Sequence, residues 1–226
     1  MKKSLTLLLL FPLLCSCSGS EISNEKAFNL VSNFEVKLDQ ATTFSFYERK
    51  AVAVTETTRS TSLYQVFFEE NYIHSYIVNE DSKASENNSV QETWAFIKDL
   101  TIYDVTTNTL GEKVSVSYPY TKEQWEAKMK EAFDNVRSVN YNYIIRIKNE
   151  YNNQTSQTKI TSRSKNDTSL VQKVERMDKE GKIIRSKTYT FVDSLISEVE
   201  ERDDYSKTNI KFSYKVTTQE AYIPDL

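Results

Sequence analysis

Two amphipathic stretches with the same internal spacing constrain the fold of this chain more than any other feature. The first stretch carries apolar residues at Ala27, Val31, Phe34 and Leu38. This recurrence at three and four residues predicts an amphipathic helix over residues 24–41. Asn24 and Ser23 compete for the N-cap position.

The second stretch repeats this spacing about 98 residues further along the chain. Its apolar stripe is Trp125, Met129, Ala132 and Val136, which predicts a helix from residue 122 to about residue 137. Thr121 stands before it as the N-cap. The chain therefore presents two helices, each with one apolar face that another layer has to cover.

Segments rich in β-branched and aromatic residues follow each helix, and this composition predicts strands. Hairpin turns are expected at residues 69–71 and at residues 178–181, where Gly181 supplies the positive φ angle. Residues 80–89 predict an exposed loop and residues 108–111 a turn. The predicted strands cover residues 43–56, 62–68, 72–78, 93–98, 100–107, 113–120, 139–148, 158–164, 169–177, 182–192, 195–201 and 208–217.

The order of helix and strands indicates an internal duplication. Similar short segments recur in the same order at an offset of about 96, and the pair at residues 114–118 and 210–214 shows it well. We therefore expect residues 24–120 to form one repeat and residues 121–226 a second. The fold class this predicts is α+β, a duplicated helix-plus-strands unit with two amphipathic helices packed on one face of curved antiparallel sheet.

Two arrangements fit this pattern. In one, both halves join into a single curved sheet with both helices inside, which resembles the half-barrel of LolA-type lipoprotein carriers and related mycobacterial lipoproteins. In the other, two cystatin-like or beta-lactamase-inhibitor-like modules pack side by side. Both resemblances concern architecture alone, so neither assigns a functional residue to this chain.

The N-terminus carries the features of an export signal. Lys2 and Lys3 precede an apolar run over residues 5–14, which is shorter than the about 20 residues of a bilayer-spanning helix. Leu14 at −3 and Ser16 at −1 relative to Cys17 resemble the cleavage motif of bacterial lipoproteins. The register with Cys15 at +1 fits less well, because Leu14 would then occupy the small-residue position.

The lipoprotein resemblance implies that residues 1–16 are removed and that Cys17 is acylated. Residues 17–23 would then be the lipidated cysteine and a tether, with a short flexible stretch over residues 18–20. The protein would be held in the cell envelope, outside the cytoplasm, with the membrane as its partner. The choice between inner membrane, outer membrane and cell surface stays open.

Composition excludes several classes of function. The chain has 226 residues with 38% apolar and 12% aromatic side chains, which suits one large domain or two small ones. Loss of Lys2 and Lys3 leaves 27 basic and 32 acidic residues, so nucleic acid is a poor partner. Both cysteines, Cys15 and Cys17, lie in the signal region, and the exported domain therefore has no disulfide.

The sequence offers little catalytic chemistry, and we expect no enzyme, no cofactor and no metal site. His74 is the single histidine, which excludes paired-histidine metal motifs and favours a structural role in its strand. Three glycines cannot form a phosphate-binding loop. The densest carboxylate cluster predicts a solvated face or, as the alternative, a weak calcium contact, with Glu198 and Glu200 on one side of a strand. The cluster comprises Glu198, Glu200, Glu201, Asp203 and Asp204.

Aromatic residues are the one feature typical of a ligand site. They can line an apolar pocket enclosed by a curved sheet, or they can fill the core between sheet and helices, and the second interpretation is favoured. The residues concerned are Phe44, Phe46, Tyr64, Phe67, Trp94, Phe96, Trp125, Tyr141, Tyr143, Tyr189 and Phe191.

The sequence thus supports a non-enzymatic, membrane-anchored exported protein that binds an apolar ligand between sheet and helices. The alternative is a surface or structural module that binds another protein, for instance by strand addition at a sheet edge.

Overall fold

The computed structural model describes residues 19–41, 44–70, 72–85, 88–98, 101–107, 113–119 and 121–215. Side chains are described throughout these ranges except at 93–98, 101–107 and 113–118. The lipidation motif at Cys17, the predicted turn at 108–111 and the last residues of the predicted final strand lie outside the described residues.

The described part contains two helices and twelve strands. The helices are α1 (Asn24–Gln40) and α2 (Lys122–Asn152). The strands are β1 (Ser20–Ile22), β2 (Phe46–Val54), β3 (Thr58–Phe67), β4 (Tyr72–Asp81), β5 (Ser89–Lys98), β6 (Thr101–Thr107), β7 (Lys113–Pro119), β8 (Thr158–Ser164), β9 (Leu170–Met177), β10 (Ile183–Val192), β11 (Leu195–Asp203) and β12 (Thr208–Lys215).

All twelve strands belong to one antiparallel sheet in the order β1-β8-β9-β10-β11-β12-β2-β3-β4-β5-β6-β7. Strands β8–β12 form one run of sequential neighbours and β2–β7 form another. The two runs are joined where β12 pairs with β2, from Asn209 opposite Val54 to Lys215 opposite Glu48. Of the two arrangements that fit the sequence, the structure has the single sheet.

The predicted duplicated helix-plus-strands unit is wrong, although the curved antiparallel sheet is confirmed. Helix α1 does not pack on the strands that follow it in the chain. It lies over the other run of strands, where the ring of Phe34 is 5.3 Å from that of Phe191 on β10 and Lys37 donates to Ser194 after β10. The two helices also pack on each other, so they form one layer rather than two separate units.

The prediction of a strand at residues 139–148 is also wrong, because these residues are the second half of α2. The alternation of Tyr143, Ile145 and Ile147 suggested a strand, yet Ile145 is 48% exposed and Ile144 is fully buried. A helical stripe runs through the same segment, but its buried position at Asn140 is polar. That one polar residue concealed the helical period.

Asn140 is buried because its amide joins α2 to the sheet. Its Nδ2 donates to the carbonyl oxygen of Val136 at 3.0 Å, and its Oδ1 accepts from the backbone N–H of Ile196 on β11 at 2.7 Å. A buried amide with both ends satisfied is stable in a core, whereas an unpaired one is costly.

The predicted helix caps and hairpins are largely confirmed. Ser23 caps α1 by accepting from the N–H of Lys26, and Thr121 forms a reciprocal capping box with Gln124. Strands β3 and β4 form the expected hairpin. Gly181 has a φ of 83° in the turn between β9 and β10, where Asp178 accepts from two backbone N–H groups.

The helix layer crosses the sheet diagonally and covers only part of one face. The first half of α2 packs beside β2 and β3 through Phe133, which contacts Phe44 and Phe68. Its second half lies over β10–β12, and near its end the hydroxyl of Tyr151 bonds Ser162 on β8. We call this the helix side of the sheet and the other the outer side.

Replacement of Asn140 by alanine tests the link between α2 and the sheet. N140A leaves the N–H of Ile196 buried and unpaired, which should lower the free energy of unfolding by about 1–3 kcal/mol. The exposed neighbour Asn142 gives the matched control N142A, expected to change stability by less than about 0.5 kcal/mol. Urea denaturation of both variants gives the comparison, and equal effects would contradict this role of Asn140.

Candidate functional site

A chain of polar side chains crosses five adjacent strands on the outer side. Lys215 lies 3.1 Å from Glu48, and Glu48 accepts from Gln65 Nε2 at 2.7 Å. His74 Nδ1 lies 2.9 Å from Gln65 Oε1, and its Nε2 lies 3.0 Å from Glu92 Oε1. Lys215, Glu48, Gln65 and His74 are successive register partners on β12, β2, β3 and β4. Glu92 lies diagonally from His74, two residues along β5 from the residue directly opposite it.

This row of hydrogen-bonded side chains defines the partners of the single histidine, His74. Glu48 takes the amide N–H of Gln65, so the carbonyl oxygen of Gln65 faces His74 and accepts its Nδ1–H. The Nε2 atom faces a carboxylate, so both ring nitrogens are engaged within the protein. His74 is 8% exposed, which is consistent with the structural role predicted for it.

The predicted acidic cluster is a solvated, charge-paired surface. Glu198 and Glu200 share the outer side of β11, as predicted, while Glu201 and Asp203 lie on the helix side. Basic partners lie close to four of the five carboxylates: Glu198–Lys211 at 2.8 Å, Glu201–Lys187 at 3.1 Å, Asp203–Arg185 at 2.6 Å and Asp204–Arg202 at 2.6 Å.

Backbone N–H of Ser206 and then the side chain of Arg185 hold the pKa of Asp203 below its usual range. Among the residues whose side chains are described, no three His, Cys, Asp or Glu residues are grouped so that they could hold a metal ion.

The aromatic residues that could have lined a pocket mostly fill the core instead. Trp125, Tyr143, Tyr189 and Phe191 are at most 8% exposed and belong to one cluster between the sheet and the helices. Phe44, Tyr64 and Tyr141 are half-buried and pack against that cluster.

Two further members of the aromatic set lie apart from this core. Phe46 and Phe67 stack on the outer side, with ring centroids 4.9 Å apart. The side chains of Trp94 and Phe96 lie outside the described set.

Because α2 runs diagonally, one region of the helix side has no helix over it. Twelve strands at about 4.8 Å spacing span more than 50 Å, whereas two packed helices cover only about 20 Å. The region lies where β12, β2, β3 and β4 meet, toward the ends that are remote from Phe44 and Phe68. We call it the open floor; it consists of Arg49, Ala51, Ala53, Ser60, Ser62, Ile77, Ile210 and Phe212.

Small side chains on two neighbouring strands make the open floor a shallow depression. Ala51 pairs with Ser62, and Ala53 pairs with Ser60. Larger apolar residues flank them, since Phe212 lies beside Ala51 and the 42% exposed Ile77 lies beside Ser62. The surface therefore combines small side chains with larger apolar ones and is partly open to solvent.

A cavity of about 330 Å³ adjoins the open floor along β12. It lies beyond the end of α2, at the ends of β10, β11 and β12, and Ile210 belongs to both surfaces. Its other walls carry the ion pairs of Arg185 with Asp203 and of Lys187 with Glu201. The volume is at the lower end of the about 300–1,000 Å³ that is typical of ligand sites, but the lining is charged or polar except for Ile210, whereas such sites are mostly apolar.

Arg49 is the cation of the open floor. It is exposed, and its guanidinium carbon lies 5.5 Å from the centroid of the Phe212 ring. No carboxylate of the described side chains forms an ion pair with it. A positive charge on an aromatic surface without a protein counter-ion suits an anionic or strongly polar group of a ligand.

Tyrosine residues of the core lie beside the open floor, between α2 and the sheet. Tyr143 and Tyr214 share a hydrogen bond of 3.0 Å, and Tyr47 stacks near Tyr214. Burial is the largest cause that raises the pKa of Tyr47, Tyr189 and Tyr214 well above the usual value near 10. These phenols are therefore neutral at physiological pH and act as core residues rather than acids.

Sequence reasoning missed the open floor, and a signal for it was present. Ala51 and Ala53 lie in the predicted strand 43–56 and Ser62 begins the predicted strand 62–68, whereas Ser60 precedes that predicted strand. The alternation along these strands places small side chains on one face of the sheet. The sequence does not show that this face stays uncovered, because that depends on the diagonal path of α2.

No protein-family model and no curated protein matches the chain. Among solved structures, a DUF1329 family protein from Desulfovibrio piger is 10% identical with a TM-score of 0.25; the match covers 83% of this chain and 91% of that one. A putative outer membrane lipoprotein-sorting protein domain from Vibrio parahaemolyticus is 6% identical with a TM-score of 0.26, over 88% and 95%. TM-scores of this size do not indicate a shared fold.

Neither of the two helices in the described ranges has an apolar stretch long enough to cross a bilayer.

Gln172, buried on β9, and Gln65, half-buried on β3, should respond oppositely to replacement by methionine. The amide of Gln172 on β9 is fully buried and has no hydrogen-bond partner among the described residues, whereas that of Gln65 bonds Glu48 and His74. We expect Q172M to raise the free energy of unfolding by about 1 kcal/mol and Q65M to lower it by about 1–3 kcal/mol. Chemical denaturation measures both, and a loss in Q172M as large as in Q65M would contradict the assignment.

The buried tyrosines predict a loss of stability in alkali. Their pKa values are raised in the folded state, so above about pH 10 only the unfolded state releases these protons and unfolding becomes more favourable. The free energy of unfolding, measured by urea titration at increasing pH, should fall above that pH. The decline should be shallower in Y189F and unchanged in Y205F, because Tyr205 is 93% exposed. An equal decline in Y189F and the parent chain would refute this account.

Proposed function

We propose that this chain is an exported lipoprotein, anchored through Cys17, that binds an apolar ligand on the helix side of its sheet without acting as an enzyme. Three parts of the proposal rest on separate observations. The open floor carries the ligand-binding part, the residues before Cys17 carry the anchor, and the paired polar groups carry the absence of catalysis.

The open floor supports ligand binding because most of its side chains are small or apolar and no helix covers it. A folded protein normally covers an apolar face with another layer, and helices cover only part of this one. An elongated apolar chain can lie on Ala51, Ala53 and Ser62 with Phe212 and Ile77 beside it. A polar head group on the same ligand can reach Arg49.

The 330 Å³ cavity supports the same proposal from the other end of the surface. It extends the floor beyond Ile210 toward the charged groups of β10 and β11. An amphiphilic ligand would therefore meet apolar contacts on β2 and β12 and the cation of Arg49, while Arg185 and Lys187 are paired with Asp203 and Glu201.

The motif around Cys17 supports export and anchoring. Leu14 and Ser16 occupy the positions of a lipoprotein cleavage site, and Lys2 and Lys3 precede the apolar run. More than one acyl chain on Cys17 would give stable attachment, since one chain alone binds a membrane only marginally.

The pairing of polar groups supports a non-enzymatic role. His74 has both ring nitrogens engaged by Gln65 and Glu92, and the carboxylates of the acidic cluster face cations rather than a cleft. A general base requires an available lone pair within reach of a substrate proton.

One observation favours binding of another protein as a second candidate function. Among the described strands, β7 stands at the end of the sheet and pairs only with β6. A strand with one free edge can accept an extended segment of a partner.

A photoactivatable fatty acid fed to cells that produce the full chain tests the proposed ligand site. Irradiation should attach it to the tryptic peptide of residues 51–59, which holds Ala51 and Ala53 between cleavage sites at Lys50 and Arg59. A51W should remove most of this adduct because the indole fills the depression. V54W is the control, since Val54 lies on the outer side of the same strand and is 40% exposed.

The same tryptic digest tests the proposed lipid anchor independently of the ligand site. The N-terminal peptide of residues 17–26 should carry a covalent acyl mass, and this mass should not depend on irradiation. Equal adducts in A51W and V54W would overturn the ligand site while leaving the anchor intact. An unmodified peptide beginning elsewhere than Cys17 would overturn the anchor alone.

A further inference from the structure

The chain joins the sheet immediately after the proposed lipidated cysteine. Ser20 on β1 pairs with Ser164 at the end of β8, and β1 continues to Ile22. The backbone at Gly19 lies so close to β8 that a Cβ atom there would be 2.3 Å from the carbonyl carbon of Ser164. The position admits only glycine, and the chain is fixed to the sheet from Gly19 onward.

The distance between Cys17 and this fixed point is short. Two residues in full extension reach about 7 Å, because each contributes at most about 3.6 Å. A lipid on Cys17 therefore holds one end of the sheet at the membrane surface. A long flexible linker, which would let the domain turn freely, is absent between Cys17 and Gly19.

The end held in this way is formed by the loop at residues 165–169 and the turn at residues 193–194. We call it the anchor end. The N–H of Ser194 donates to the carbonyl oxygen of Thr168 at 2.8 Å, which ties the loop to the turn. Lys37 near the end of α1 donates to the hydroxyl of Ser194 at 3.2 Å, so α1 also braces this end.

The surface beside Gly19 has the chemistry of a membrane contact. A groove of about 180 Å³ lies there, with Leu170, Phe191 and Val192 among its apolar walls, and Val192 is 49% exposed. Arg163 and Lys165 stand at the same groove and are exposed. In the described part of the chain, no carboxylate forms an ion pair with either of them.

Three exposed carboxylates lie near these cations: Asp167 on the loop, Asp193, which lines the groove, and Glu21 on β1, which stands opposite Arg163. Arg163 belongs to β8 and lines the groove beside Val171. None of these carboxylates forms an ion pair with Arg163 or Lys165 among the described side chains, so both cations are available to lipid phosphates.

From these observations we infer that the anchor end lies against the phospholipid surface, with Arg163 and Lys165 facing lipid phosphates and Val192 contacting the upper acyl region. The inference rests on the proposed lipid at Cys17. It assigns an orientation in which the strands rise from the membrane and the opposite ends of β9 and β10 point away from it.

The opposite end gives a built-in reference position. The turn between β9 and β10 holds Lys179 and Lys182, both exposed. Strand β10 has 10 residues, so this turn lies about 30 Å from the anchor end along the strands. Fluorophores placed at the two ends should therefore lie at different distances from the membrane surface.

The test uses the full chain, purified from bacterial membranes and reconstituted in vesicles of phosphatidylcholine and phosphatidylglycerol. Since Cys15 is lost with the signal and Cys17 carries the lipid, one introduced cysteine is the sole labelling site. D167C and K179C are each labelled with an environment-sensitive fluorophore, and a spin-labelled lipid serves as quencher. We expect loss of most fluorescence at position 167 and little loss at position 179.

Charge reversal tests the role of the two cations. R163E/K165E should reduce quenching at position 167, whereas K179E/K182E makes the same change of charge at the remote end and should leave it unaltered. Similar quenching at positions 167 and 179, or unaltered quenching in R163E/K165E, would overturn the inference. A missing acyl mass on the peptide of residues 17–26 would instead show that the proposed anchor has failed.

Discussion

The pairing of β12 with β2 is the interaction on which the rest of this structure depends. Seven residue pairs join the last described strand to the first long strand of the chain. Through them two runs of sequential strands become one sheet. Without this junction each run would need its own helix over its own apolar face, which is the arrangement that a duplicated unit requires.

The junction also creates the candidate site. Ile210 and Phe212 come from β12, while Arg49, Ala51 and Ala53 come from β2, so the open floor lies across the seam between the two runs. Helix α2 starts beside β2 and β3 and ends near β8, and its diagonal path leaves the floor uncovered. The order of the strands, the direction of α2 and the position of the open floor are therefore all related to the pairing of β12 with β2.

The two sides of the sheet carry different kinds of contact. On the outer side, polar and charged groups are matched across strands, as in the chain from Lys215 through Glu48 and Gln65 to His74 and Glu92. On the helix side, the apolar core is sealed by Trp125, Tyr143 and Phe34 and is linked to α2 through Asn140. The proposed ligand surface is the part of the helix side that the two helices leave uncovered.

Local sequence patterns predicted the elements well because their causes are local. Alternation, turn residues and caps placed most strands, Gly181 and Thr121 close to where they are found. The strand prediction for residues 139–148 was wrong because this segment fits both the two-residue period of a strand and the 3.6-residue period of a helix. The contact of Asn140 with Ile196 shows that the helical face is the one that packs on the sheet. The prediction of a duplicated unit was wrong because strands that are distant in the sequence pair with each other. Similarity between short segments does not indicate which strands pair.

Position-specific cross-linking tests the central claim most directly, that β12 and β2 join the chain into one sheet. Ser213 lies opposite Lys50 on the outer side, and the exported domain contains no other thiol. The double variant S213C/K50C should form an intramolecular disulfide on mild oxidation, because cross-strand neighbours are within the about 4.4–6.8 Å that such a bond needs. The control S213C/L63C, one strand further away, should not. Failure of the first pair to cross-link, or equal cross-linking of both, would contradict the single sheet.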